Sequence, residues 1–130
     1  MQIHQSAEDY LETILMLSQR MGRVRSIDVV NELGYTKASV SIAMKKLREN
    51  GYIAVDGEGN LTLLEPGREI AERIYSRHRL LTHFFVQLGV DETVAAEDAC
   101  KAEHILSEQT LQKIREYALL HDAQDSVKGE

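Results

Sequence analysis

Ser26-Ile-Asp-Val-Val-Asn-Glu-Leu-Gly34, followed at once by Tyr35-Thr-Lys-Ala-Ser-Val-Ser-Ile-Ala-Met-Lys-Lys-Leu-Arg-Glu-Asn-Gly51, decides the fold. Ser26 is a good cap for a helix over Ile27 to Leu33, and Gly34 stops it. Tyr35 and Thr36 lead into a longer helix, from about Lys37 to Asn50, stopped by Gly51. A short helix, a tight glycine turn and a longer helix form the helix-turn-helix pattern. Ile27, Val30, Leu33, Val40, Met44 and Leu47 give the pair a core-facing side.

The longer helix has the chemistry of a DNA reader. Small side chains in its first half allow close approach in a major groove, where Thr36, Ser39 and Ser41 can hydrogen-bond to base edges or phosphates. Lys37, Lys45 and Lys46 can meet phosphates, and Arg25, just before the first helix, joins them as a candidate contact. A solvated face explains any one basic residue; the whole pattern favours DNA.

Working outward, Tyr52–Val55 and Leu61–Leu64 are apolar, β-prone runs around the turn cluster Asp56-Gly-Glu-Gly-Asn60. A hairpin directly after a recognition helix is the wing of a winged helix. Its tip has two acids and no base, so little beyond backbone amides is expected from it. Upstream, Val24-Arg25 could form a very short strand. Before it, Ser6 begins a helix ended by Gly22, with Tyr10, Leu11, Ile14, Leu15 and Leu17 as its apolar stripe. Ser6 with Asp9 resembles a capping box with a shorter acid.

Downstream, Glu65-Pro66-Gly67 marks a boundary, with Pro66 placed to open a helix running to about Leu88. Asp91 caps a helix to about Leu106, and Ser107 caps a last helix from Glu108 to about Leu120. The tail from His121 reads as polar and frayed. The expected fold is mainly α with a small β-hairpin. Its domains are a winged-helix DNA-binding domain over residues 1–70, a metal-binding and dimerisation helical domain over 71–122, and a polar tail over 123–130. Leu80, Leu81, Phe84, Val86, Val90, Val94, Ile105 and Leu111 exceed what one thin layer of helices covers. A symmetric homodimer is the natural solution, and it suits a palindromic double-stranded site.

The net charge is −6, yet Arg20 to Asn50 holds seven basic residues and three acidic ones, a local +4 that leaves −10 for the rest. That asymmetry fits a basic face on an acidic body. A single cysteine excludes an internal disulfide and suits a reducing cytoplasm. No apolar stretch reaches membrane-spanning length, and the first residues do not read as a signal peptide.

Glu97-Asp-Ala-Cys-Lys-Ala-Glu-His-Ile-Leu106 carries the second chemistry. On a helix, Cys100, Glu103 and His104 at i, i+3 and i+4 leave one face, bringing a thiolate, a carboxylate and an imidazole within reach of one divalent cation. Taken alone, a core cysteine beside a surface Glu-His pair is the ordinary explanation. Asp9 and Glu12, three apart, share a face of the first helix, where a solvated first turn is likewise the ordinary reading. His78 and His83 fall on the helix after the wing, and His4 precedes the first helix.

With these residues in view, the chain resembles the diphtheria-toxin-repressor family of metal-dependent transcriptional repressors, and most closely its manganese transport regulator branch. Ser6-Ala-Glu-Asp-Tyr-Leu-Glu-Thr-Ile14, Ser76-Arg-His-Arg-Leu-Leu81 and Cys100-Lys-Ala-Glu-His-Ile-Leu-Ser107 carry the resemblance, in family order and spacing. The resemblance implies metal ligands at Asp9, Glu12, His78, Glu103 and His104, with Cys100 where that branch has Glu. Cysteine there is the habit of the iron-responsive branch, whose further ligands fall on Thr82 and Ala96 here, so its ancillary site is not expected. Nor is that branch's SH3-like domain. His4 and His83 are not expected as ligands. Mn(II) or Fe(II) is the implied corepressor, with Zn(II) or Co(II) able to bind in vitro. A metal-dependent repressor of metal-uptake genes follows, with no catalytic residues. Two other readings remain: a winged-helix regulator answering to a small molecule, and a metalloenzyme built on the Cys-Glu-His group, which lacks a general base and leaves the basic helix unexplained.

Overall fold

The computed structural model describes residues 5–128, and their side chains as far as residue 123. The described residues form six α-helices and a two-stranded antiparallel sheet, in two compact units that divide between Arg73 and Ile74. None of these helices is long and apolar enough to cross a membrane.

The first unit holds α1 (Gln5–Met21), α2 (Ser26–Leu33), α3 (Lys37–Glu49), β1 (Ile53–Val55), β2 (Leu61–Leu63) and the start of α4 (Glu65–Gln87). Every element contributes buried apolar side chains: Leu11, Ile14, Leu15 and Leu17 from α1, Val29 from α2, Val40, Met44 and Leu47 from α3, Ile53, Leu61 and Leu63 from the strands, and Ala71 from α4. Gly34 ends α2 in the left-handed region, φ 71°, which glycine enters without steric cost. Thr36 caps α3: its Oγ1 accepts the Ser39 amide at 3.1 Å. The strands pair Ile53 with Leu63, Ala54 with Thr62 and Val55 with Leu61. The expected strand at Val24-Arg25 is a single bridge from Arg25 to Asn60.

Three local expectations are corrected. Ser6 lies inside α1 rather than before it. Arg25, not Ser26, stands at the cap of α2, where the Asp28 carboxylate accepts its amide at 2.9 Å. Ile27 is exposed and Val29 is buried in its place. α2 carries apolar residues on two sides, so periodicity alone did not choose its inner face.

The first turn of α4 lies against the hairpin, where the Leu64 amide donates to the Tyr52 carbonyl at 3.0 Å. Gly67 permits this approach: a Cβ there would lie 2.2 Å from that same carbonyl oxygen. Backbone on both sides cannot yield cheaply. Gly67→Ala is expected to lower stability by about 1–3 kcal/mol, read as a shifted urea midpoint. An unchanged midpoint would show that the two segments separate freely.

The second unit holds the rest of α4, α5 (Glu92–Ala102) and α6 (Glu108–Lys128). Asp91 caps α5 by accepting the Thr93 amide at 3.0 Å, and Ser107 caps α6 by accepting the Thr110 amide at 3.1 Å. Leu81, Ala99 and Leu111 form the buried centre, with Leu80, Phe85, Leu106 and Ile114 packed against it.

Two helix ends differ from expectation. α5 stops at Ala102 rather than Leu106, and Glu103 to Ile105 form a turn. The Ile105 amide bonds to Ala102 three residues back, at 3.1 Å, a tightening that frees the chain to reach the Ser107 cap. α6 continues to Lys128, so most of the stretch read as a polar tail is helical. Neither Gly nor Pro interrupts residues 121–128. α6 is also tied to α4: Gln87 Nε2 donates to Asp122 at 2.7 Å, the His83 ring meets the same carboxylate at 2.9 Å, and Tyr117 packs edge-on against Phe84 with ring centres 5.9 Å apart.

Candidate metal centre and nucleic-acid interface

Two carboxylates are buried among the described side chains, Glu12 at 6% exposed and Glu103 at 0%. Both belong to the set singled out from sequence. A buried carboxylate costs several kcal/mol unless positive charge or hydrogen bonds compensate it. In the first unit, α1 is exposed at Gln5 and Ser6 but buried at every residue from Tyr10 to Leu15. Asp9, one turn before Glu12, is half-buried. Burial, then the neighbouring Tyr35 and Asp9, push the Tyr10 hydroxyl above its usual range, and it stays protonated.

In the second unit, Glu103 sits at the end of α5, where its backbone is still helical and its amide donates to Ala99 at 2.9 Å. That geometry turns its side chain inward. His78 of α4 places Nδ1 3.0 Å from Glu103 Oε2, and His104 places Nε2 3.4 Å from Oε1. The side chain of His104 is 2% exposed. Arg77 reinforces the turn, with Nη1 donating to the Glu103 carbonyl at 3.3 Å and Nη2 to the Glu108 carboxylate. Glu103 Oε1 forms no hydrogen bond among the described residues. An imidazole–carboxylate–imidazole group whose Oε1 accepts no hydrogen bond among the described residues fits a divalent cation: the donors are of the right type, and the buried negative charge calls for a positive one.

Cys100 lies in the last turn of α5, exposed, three residues before Glu103. The spacing argument thus holds in part: Cys100 is on the helix, and Glu103 and His104 are in the turn after it. His78, the partner of Glu103, came from the resemblance and not from periodicity. Arg77 was given no role, although it stands within the Ser76 to Leu81 motif one residue before a candidate ligand. His83 pairs with Asp122. His4 lies outside the described residues.

On the first unit, Lys37, Ser41, Lys45 and Lys46 are exposed along α3. Thr36 and Ser39 are engaged locally as well, the Thr36 hydroxyl donating to Ser39 Oγ at 2.9 Å. Arg25 reaches the wing, where Nη2 donates to the Glu58 carbonyl beside Gly59. The wing tip closes on its own acid: Asp56 accepts the Glu58 and Asn60 amides at 2.9 Å each, and hydrogen bonds from Asn60 above all hold its carboxyl below the usual range.

Comparison with known proteins adds the family. Residues 2–61 match the iron dependent repressor, N-terminal DNA binding domain, and residues 64–122 match the iron dependent repressor, metal binding and dimerisation domain. The chain belongs to the iron-dependent repressor family. An HTH-type transcriptional regulator of Methanocaldococcus jannaschii is 35% identical over 113 residues, 85% of this chain and 90% of that protein. The HTH-type transcriptional regulator MntR of Lysinibacillus sphaericus is 32% identical over 124 residues, 95% of this chain and 89% of that one. A solved manganese-dependent transcriptional repressor in complex with manganese superposes with a TM-score of 0.78 at 29% identity, covering 86% of this chain and 52% of that chain. T. acidophilum IdeR shares the fold, with a TM-score of 0.78 at 23% identity, over 90% of this chain and 55% of its own. The chain thus spans about half the length of these solved chains and nearly all of the two sequence relatives.

As a member of the iron-dependent repressor family, this is a metal-dependent, DNA-binding transcriptional repressor that works as a homodimer with divalent metal ions. The second unit is consistent with a dimerisation domain: Leu88, Val94, Ile105, Leu119 and Leu120 stay exposed, while Leu81 and Leu111 go into its own core. Exposed apolar area of this kind is what association covers.

Proposed function

We propose that the corepressor is Mn(II) or Fe(II), held by Asp9, Glu12, His78, Cys100, Glu103 and His104. The observation that carries this reading is Glu103, fully buried with His78 and His104 on its two oxygens. Glu12, the other buried carboxylate, supports it from α1. A bound divalent cation adds positive charge beside these buried carboxylates. Glu12 and Asp9 repel further negative charge when no cation is shared, which leaves α1 less firmly placed. Ligation from α1 and from the second unit together then favours the DNA-binding arrangement, by the differential affinity that linkage requires. Arg25, Thr36, Lys37, Ser39, Ser41, Lys45 and Lys46 meet a palindromic operator. Metal-uptake genes are the targets, the cytoplasm is the setting, and no catalysis is involved.

Hard carboxylates suit Mn(II) and Fe(II), whereas the Cys100 thiolate raises relative affinity for Fe(II), and for Zn(II) or Co(II) in vitro. The deciding experiment is anaerobic titration of metal-free protein with Mn(II), Fe(II) and Zn(II), reading stoichiometry and promoter binding together. DNA binding should rise with metal. DNA binding indifferent to metal would point instead to a small-molecule effector. Cys100→Glu is expected to shift the response toward Mn(II) by about tenfold relative to Zn(II); an unchanged metal ranking would remove Cys100 from the ligand set.

A further inference from the structure

The outward face of α3 carries one large apolar side chain. Val40, Met44 and Leu47 are buried, and Ile42 is 58% exposed. Two residues from both Val40 and Met44, Ile42 stands roughly 200° round the helix from each, opposite the core and not at its margin. Its neighbours one turn back are Ala38 and Ser39, and one turn on are Lys45 and Lys46, all exposed. A β-branched residue gains nothing as a helix former at such a position, so neither packing nor propensity accounts for it.

We infer that Ile42 is a specificity-determining residue that packs against the 5-methyl group of thymine in the major groove. That methyl is the one apolar feature by which a base pair announces itself there. The small Ala38 and Ser39 side chains let the helix approach closely enough for contact. Lys45 and Lys46, one turn on, are placed to meet the flanking phosphate backbone. The stiffness of Ile at χ1 leaves little side-chain freedom to lose on binding. Hydroxyls at positions 39 and 41 can accept several base edges, so a rigid apolar group between them adds selectivity that they do not supply. The inference rests on α3 being the helix that enters the groove, and the two can fail separately.

The test uses the full-length protein with Mn(II). A binding duplex is selected from a random-sequence pool, and its thymines are replaced singly by deoxyuridine, which removes only the methyl. Wild-type affinity should fall about fourfold for each contacted methyl, at one position in each half-site, and Ile42→Ala should bind both duplexes equally. Ile42→Gln should select a different base at that position. Uracil substitution without effect anywhere, or methyl discrimination retained by Ile42→Ala, overturns the assignment. So does an Ile42→Ala protein that changes oligomeric state while reading the same sequence, since Ile42 would then be a protein contact. Should Lys45→Ala/Lys46→Ala protein bind the duplex normally, the placement of α3 itself is wrong. If that variant fails to bind while wild type is indifferent to every uracil substitution, α3 keeps its place in the groove and only the methyl contact is withdrawn.

Discussion

Glu103→Gln should lose metal affinity by about 100-fold, the upper end of what is lost with a supporting residue alone, while the metal-free protein melts no lower than wild type. The argument turns on burial. Glu103 is fully buried, and a charge there is maintained at a cost. Glutamine keeps the shape and a hydrogen-bonding group toward His78, now 3.0 Å from the carboxylate, but removes the charge. Replacing a buried charge by a neutral group of equal size is often neutral or stabilising. The cation, by contrast, loses an anionic ligand between two imidazoles. At a Mn(II) concentration 100 times the wild-type Kd, ligand binding adds about 2.7 kcal/mol to the wild type. A variant 100-fold weaker gains about 0.4 kcal/mol under the same conditions. Thermal unfolding with and without Mn(II) reads both numbers. A variant that keeps the full metal-induced shift removes Glu103 from the site. Glu103→Ala is a poorer probe, because the cavity it leaves lowers stability for a separate reason.

The winged helix was legible because its signals are local. Gly34 and Gly51 stop helices, Thr36 caps one, and the Asp56 to Asn60 cluster turns a hairpin; each acts within a few residues of itself. Where two faces of a helix compete, local signals fail. α2 buries Val29 and exposes Ile27 because packing, and not period, selects its inner face. The ends of α5 and α6 were misjudged for a related reason. Glu103 to Ile105 have ordinary helix formers but must turn to reach Ser107, and the last turns of α6 are tied back to α4 by residues 35 or more positions away, through Asp122 with Gln87 and His83. The site shows the same division. Cys100, Glu103 and His104 are neighbours in sequence and could be named together. The pairing of Glu103 with His78, 25 residues away, is a tertiary fact, and the sequence carried it only through the family's motif order. Arg77 and Ile42 stood inside quoted motifs but carried no role there; an arginine beside a histidine and an isoleucine among serines become informative only when exposure and hydrogen bonds are known.

Removing Lys45 and Lys46 together should alter the salt dependence of DNA binding more than any other pair on the first unit. Both are exposed on α3, near the end where basic residues complement the helix dipole. The chain as a whole is acidic, −6, so net charge does not favour DNA and contact must come from a concentrated basic face. The wing offers no compensation, since Asp56 and Glu58 are its charged tip residues and Arg25 is bonded to it. A homodimer presents four such lysines. If each neutralises one phosphate, the slope of log affinity against log salt falls by about 3.6 on their removal. Between 50 and 200 mM salt, wild-type affinity should therefore drop about 150-fold more than that of the double variant, with the largest gap between them at low salt. Lys113→Ala is the control: it is 71% exposed, paired with Glu116 at 3.4 Å on α6, and should leave the slope unchanged. Fluorescence anisotropy across that salt range measures both. Equal slopes for wild type and double variant would place the phosphate contacts elsewhere than on α3, and base reading by Ser39, Ser41 and Ile42 would go with them.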